Sequence, residues 1–142
     1  MYLWDTNILR HFGEGHPNLR LHLEKVSWSE IALPSVVVAE VLRGRSEYAL
    51  KALPEKLPVA HEQLFRTQKF LNRFNVIIFD EECAEALKKL RHKHKAHKRY
   101  SDMMIAAMAE AGKHIVVTRN VKDFEKLLPK KYLENWIDER SS

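Results

Sequence analysis

The stretch Met1-Tyr2-Leu3-Trp4-Asp5-Thr6-Asn7 decides how the whole chain is read. Four apolar residues end at a carboxylate, and two short polar side chains follow. An apolar run of that length closed by Asp, Thr and Asn reads as a buried strand over residues 2–5 passing into a helix capped by Thr6 or Asn7. Open α/β sheets bind their ligands just beyond the carboxyl ends of the strands, and Asp5 stands at such an end.

The same alternation continues outward from that stretch. A short helix is predicted over residues 19–26. Ile31-Ala32-Leu33 reads as a second strand stopped by Pro34, with Ser35 as the cap of the next helix. Val36-Val37-Val38 has strand propensity, but Pro34-Ser35 before it and Gly44 after it frame a helix. In that helix Val36, Val37, Glu40 and Val41 share one face. Pro54 and Pro58 divide the middle into helices over 46–53 and 59–74, a helical hairpin. Val76-Ile77-Ile78-Phe79 is a third strand and residues 81–94 a helix. Residues 103–111 are nearly all apolar, a helix buried on most sides and stopped by Gly112. Ile115-Val116-Val117 is a fourth strand, with a short helix from Val121 and a candidate edge strand at Trp136-Ile137. Strands alternating with helices predict an α/β fold: a three-layer α/β/α sandwich around a parallel sheet of four to five strands, built as one domain over residues 1–142.

Composition narrows the class. A hydrophobic share of 45% in 142 residues supports a real core, and 4 Gly with 5 Pro argue against long linkers. No apolar run reaches the length of a membrane-spanning helix. The first residues lack the basic region, apolar stretch and small-residue cleavage site of a secretory signal. A cytoplasmic protein with no membrane contact is expected. The single cysteine, Cys83, forms no intrachain disulfide and reads as a small core residue. Lys and Arg total 24 against 19 Asp and Glu, a net charge of +5 and a pI near 9.4, which suits a polyanionic partner such as RNA without requiring one.

Three acids stand in apolar surroundings: Asp5, Glu40 in Val38-Ala39-Glu40-Val41-Leu42, and Asp102 in Ser101-Asp102-Met103-Met104-Ile105. Strand ends and the first turns of the following helices meet at one edge of a parallel sheet, so these three can converge. Converging carboxylates repel and take up protons unless a cation lies between them. Mg²⁺ or Mn²⁺ suits oxygen ligands and keeps waters of its own, which leaves room for a substrate phosphate. Thr118, Arg119, Asn120 and Asp123 follow the fourth strand toward the same edge. Each acid also has a plainer reading. Asp5 and Asp102 are suited to starting helices, Glu40 to pairing with Arg43 or Arg10, and Asp123 to capping.

Taken together the segments resemble the PIN-domain ribonucleases, in particular the VapC-like toxins of type II toxin–antitoxin systems. The resemblance spans almost the whole chain. It rests on Tyr2-Leu3-Trp4-Asp5-Thr6-Asn7-Ile8-Leu9, on Pro34 to Gly44 around Glu40, on Tyr100 to Ala109 around Asp102, and on Val117-Thr118-Arg119-Asn120-Val121-Lys122-Asp123-Phe124. It implies a magnesium-dependent endoribonuclease in which Asp5, Glu40 and Asp102 hold metal. Thr6, Asn7, Ser35, Thr118 and Asn120 would support them, and a small antitoxin protein and a homodimer would be its partners. Many relatives carry Asp where Asn120 stands. The amide keeps an oxygen but loses the charge, so a second metal would bind more weakly unless Asp123 compensates.

The stretch His92-Lys93-His94-Lys95-Ala96-His97-Lys98-Arg99 runs into Asp102. Its histidines are spaced by two and three residues, unlike the i,i+4 pairing of helical zinc motifs, and its lysines oppose a cation. A basic surface near the mouth of the site is expected instead, with Lys95, Lys98 and Arg99, together with Arg43 and Arg119, as contacts to the RNA backbone. Two other functions compete. A haloacid-dehalogenase-type phosphatase needs a second Asp at the position of Asn7. A catalytically weak or inert RNA- or antitoxin-binding PIN module is motivated by Asn120.

Overall fold

The structure, a computed structural model, describes residues 1–95 and 99–139. Ala96, His97 and Lys98 of the basic stretch, Lys98 among the RNA-contact candidates, lie outside the described residues. Five strands form one parallel sheet in the order β3-β2-β1-β4-β5: β1 (Tyr2–Trp4), β2 (Ile31–Pro34), β3 (Asn75–Ile77), β4 (Ile115–Val117) and β5 (Leu133–Glu134). The connecting helices are α1 (Thr6–Gly13), α2 (Pro17–Leu23), α3 (Ser35–Lys51), α4 (Leu57–Leu71), α5 (Glu81–Lys93), α6 (Tyr100–Gly112) and α7 (Val121–Glu125). The α/β class and the parallel sheet agree with the expectation from sequence.

The central strands are short and apolar because both faces are covered. Leu3, Trp4, Ala32, Leu33, Val116 and Val117 are fully buried. Trp4 is the hub of an aromatic cluster, with ring centroids 5.4 Å from Phe12, 5.7 Å from Phe74 and 6.2 Å from Trp136. Such edge-on and tilted contacts add to the burial of the rings themselves. Among the described residues no helix is long and apolar enough to cross a membrane.

Several local expectations are corrected. Asp5 itself caps α1, its Oδ1 accepting the Ile8 N–H at 3.0 Å, so the strand ends at Trp4 and neither Thr6 nor Asn7 is the cap. Ser35 is the first residue of α3 and not its cap. Its Oγ accepts the Phe79 N–H at 3.0 Å, tying the segment after β3 to α3. Gly44 does not stop that helix, which runs on to Lys51 and absorbs the expected helix over 46–53. A glycine in a helix interior costs only about 1 kcal/mol relative to alanine, and α3 recovers it by packing along α4, with Ala49 and Ala60 buried. The C-cap of α6 is Lys113, in the left-handed region at φ 55, one residue beyond the expected glycine stop. Gly112 serves a close approach there: a Cβ on it would stand 2.2 Å from the His114 ring. The edge strand is Leu133–Glu134, and Trp136 and Ile137 are buried in the turn after it.

Candidate active site

The sheet order reverses at β1. From β1 the chain goes to β2 on one side, and β4 returns to pair on the other. The crevice beyond the carboxyl ends of β1 and β4 is therefore the topological switch point, the favoured ligand position of such sheets. Asp5 follows β1 and Thr118 follows β4. Both are buried, Asp5 with 6% of its surface exposed and Thr118 with none.

Their contact fixes the carboxylate. Thr118 Oγ1 donates to Asp5 Oδ2 at 2.6 Å and accepts the Asn120 N–H at 3.0 Å. A carboxylate only accepts, so the hydroxyl proton points at Asp5 and the backbone amide fills the oxygen's acceptor side. Asp5 is thus held from both ends, by α1 through Ile8 and by β4 through Thr118. Burial pushes its carboxyl above the usual value of 3.8 and the nearby Glu40 carboxylate adds to the rise, against the hydrogen bonds from Thr118 and the Ile8 and Asn7 backbone. An acid raised on folding favours the fold most at low pH. That contribution is lost as pH rises from the ordinary carboxylate range through the raised value. A cation bound beside Asp5 would reverse that penalty and would compete with protons for the carboxylate.

Asp5, Thr6, Asn7, Glu40, Ser101, Asp102 and Asn120 line one cavity of 410 Å³, with Arg99, Tyr100 and Ile105 completing its wall. Glu40 comes from the second turn of α3, and its Oε1 accepts a hydrogen bond from Thr6 Oγ1 at 3.4 Å. Asp102 lies in the first turn of α6, where the helix dipole favours an anion. Apart from the Arg99 guanidinium, the polar groups around this cavity are carboxylates, amides and hydroxyls, with neither Cys nor His among its lining residues. That set fits a hard cation such as Mg²⁺ or Mn²⁺ and not zinc. Among the described residues, no three His, Cys, Asp or Glu side chains stand close enough together to form a ready-made metal cage. An ion that keeps several of its waters and takes one or two protein carboxylates directly suits this spacing.

The other candidates divide. Asn120, at the N-cap position of α7, lines the cavity, whereas Asp123, in the first turn of α7, does not. The wall thus takes the neutral amide in place of the charged side chain three residues on, since one helical turn carries Asp123 past the cavity edge. Ser35 and Arg43 line a neighbouring apolar groove instead. Arg119 is engaged by Asp138 through two hydrogen bonds of 3.1 Å, which removes it from the cavity. Lys95 is exposed and lines neither cavity. Tyr100 and Ser101 were not singled out from the sequence, although their place one and two residues before Asp102, in the first turn of the same helix, puts them beside it.

The family profile described as PIN domain matches residues 2–127 of the chain. The chain is similar to Ribonuclease VapC2 of Rickettsia felis, with 29% identity over 144 residues that cover 96% of this chain and 98% of that protein. Among solved structures it is similar to a toxin–antitoxin complex from Klebsiella pneumoniae, at 27% identity and a TM-score of 0.68 over 96% of this chain and 98% of that one. It is also similar to VapBC2 from Rickettsia felis bound to a DNA fragment from their promoter, at 27% identity and a TM-score of 0.69 over 95% and 98% of the two chains.

Proposed function

Because the chain belongs to the PIN domain family, we propose that it is a magnesium-dependent endoribonuclease and the toxin of a toxin–antitoxin pair. One observation carries the reading: Asp5, Glu40 and Asp102, drawn from three distant segments, line a single oxygen-rich cavity at the switch point of the sheet. The likeness to a ribonuclease and to toxin–antitoxin assemblies supports the substrate and a small antitoxin as partner.

The ion would be held by Asp5, Asp102 and Glu40, directly or through its waters. When bound, it would supply charge stabilisation at the phosphate and a coordinated water more acidic than bulk water. Thr118 and the α1 backbone keep Asp5 in one rotamer, so no reorganisation is needed when charge develops. Thr6 orients the Glu40 carboxylate. Glu40 is less buried than Asp5 and is the carboxylate suited to take the proton from the attacking water and return it to solvent. Arg99, at the cavity wall, offers a guanidinium to a phosphate oxygen. The scissile P–O bond breaks as water oxygen bonds to phosphorus in line, with no covalent link to the protein, and the departing ribose oxygen takes a proton from solvent.

The test is a titration of Mg²⁺ into the chain with single-stranded RNA. Cleavage is expected to rise with Mg²⁺ or Mn²⁺, to stop with a chelator, and to be restored by excess metal. RNA binding with no cleavage at any metal concentration would favour the inert binding module that Asn120 suggests.

A further inference from the structure

We propose that the apolar groove beside the acid cavity is a nucleobase subsite, in which the base next to the scissile phosphate of single-stranded RNA stacks on Tyr100. The groove, about 720 Å³, is walled by Ala39, Phe79 and Met104 with the Arg43 side chain at its side. Glu40, Tyr100 and Ser101 line both it and the acid cavity, so the two are continuous. The pair of spaces has the division of a nucleotide. One half is an oxygen-lined chamber suited to a metal-bridged phosphate, and the other is a carbon-lined slot suited to a flat ring. This inference rests on the nuclease reading for the position of the phosphate.

Tyr100 is 47% exposed, which leaves aromatic surface for a ligand. The Arg91 guanidinium stands 5.0 Å from its ring centroid, a modest attraction at an exposed site that biases the ring's orientation before any ligand arrives. Phe79 is fixed in turn by the hydrogen bond from its N–H to Ser35 Oγ. A preset aromatic platform spends little entropy on binding. Arg43 supplies a guanidinium fork to a base edge or to the next phosphate. Base stacking on an aromatic side chain tolerates any sequence, and the groove thus sets where the strand lies and not, by itself, which base is read.

The test uses two oligoribonucleotides of one sequence, the second carrying an abasic ribose beside the mapped cut. Cleavage is followed in Mg²⁺ and binding in Ca²⁺ by anisotropy of a labelled strand. On intact RNA, Tyr100→Leu is expected to raise KM and weaken binding by about 5- to 150-fold, the range that single-base stacking supplies, while Tyr100→Phe, which keeps the ring, loses much less. On abasic RNA the parent and Tyr100→Leu should behave alike. Equal losses on both RNAs would place Tyr100 in the geometry of the acid cavity and overturn the subsite. So would no loss on either, or a groove filled by an apolar peptide without displacing RNA. If the chain cuts nothing, the abasic ribose is stepped along the strand and binding alone is followed: a position whose loss matches that of Tyr100→Leu keeps the base subsite while the nuclease reading fails. If it cuts with no dependence on Tyr100 and the base, the reverse holds.

Discussion

Asp102→Asn is expected to lower RNA cleavage by at least about 10²- to 10³-fold in saturating Mg²⁺, the usual cost of removing one preorganised electrostatic contact to the reacting centre. Asparagine keeps the shape of the side chain and one carbonyl oxygen but not the charge, so the cavity retains its outline while its hold on a cation drops. The fold should tolerate the change. Asp102 is half-buried in the first turn of α6, where an anion is worth about 0.3–1 kcal/mol through the helix dipole. An interaction of that size is a small part of the stability of an ordinary domain. A gel-based cleavage assay alongside thermal melting checks both halves, and a variant with parent-like activity would remove Asp102 from the site.

Trp4→Ala should destabilise the protein by about 3–5 kcal/mol, as expected for deleting a large buried aromatic side chain. Trp4 is fully buried in the central strand and touches Phe12, Trp28, Phe74 and Trp136, which come from four separate parts of the chain. Its Nε1–H finds no acceptor among the described residues, so the loss is one of packing and not of a hydrogen bond. Because the next residue is Asp5, loosening this strand also loosens the carboxylate. Urea denaturation gives the magnitude, and a loss below about 1 kcal/mol would contradict the packing account. Trp4→Phe, which keeps a ring in the cluster, should lose much less.

What the sequence disclosed and what it hid follow from the range of the forces involved. The strand at Tyr2–Trp4 and the buried helix at Tyr100–Gly112 were legible because unbroken apolar runs of 3 and of several residues need covering on every side. The convergence of Asp5, Glu40 and Asp102 on one cavity was inferable from topology, since parallel strands bring their carboxyl ends to one edge. Three things were not legible. Gly44 looked like a stop because local propensity speaks against it, yet tertiary packing of α3 on α4 overrides a cost of about 1 kcal/mol. The cap of α1 was misplaced by a residue because Asp5, Thr6 and Asn7 are all good caps, and only Thr118, more than a hundred residues away, singles out Asp5. Asp123 and Arg119 looked like site residues because they follow the fourth strand toward the edge where the acids meet. The turn of α7 and the partner Asp138 at the far end of the chain take them elsewhere.

The structural basis of the proposed chemistry is that one switch point collects hard oxygen donors while burying the first of them. A buried carboxylate with a raised pKa and a like-charged neighbour is an arrangement of modest stability by itself. A divalent ion bound there, as proposed, would offset that cost, and metal binding and folding would then be linked in this chain.

Diffraction from crystals soaked in Mn²⁺, collected at the manganese absorption edge, tests the central claim most directly. The account predicts an anomalous peak inside the cavity bounded by Asp5, Glu40 and Asp102, absent in Asp5→Asn crystals treated alike. Manganese found only elsewhere on the protein, or a peak that survives the Asp5 substitution undiminished, would contradict it.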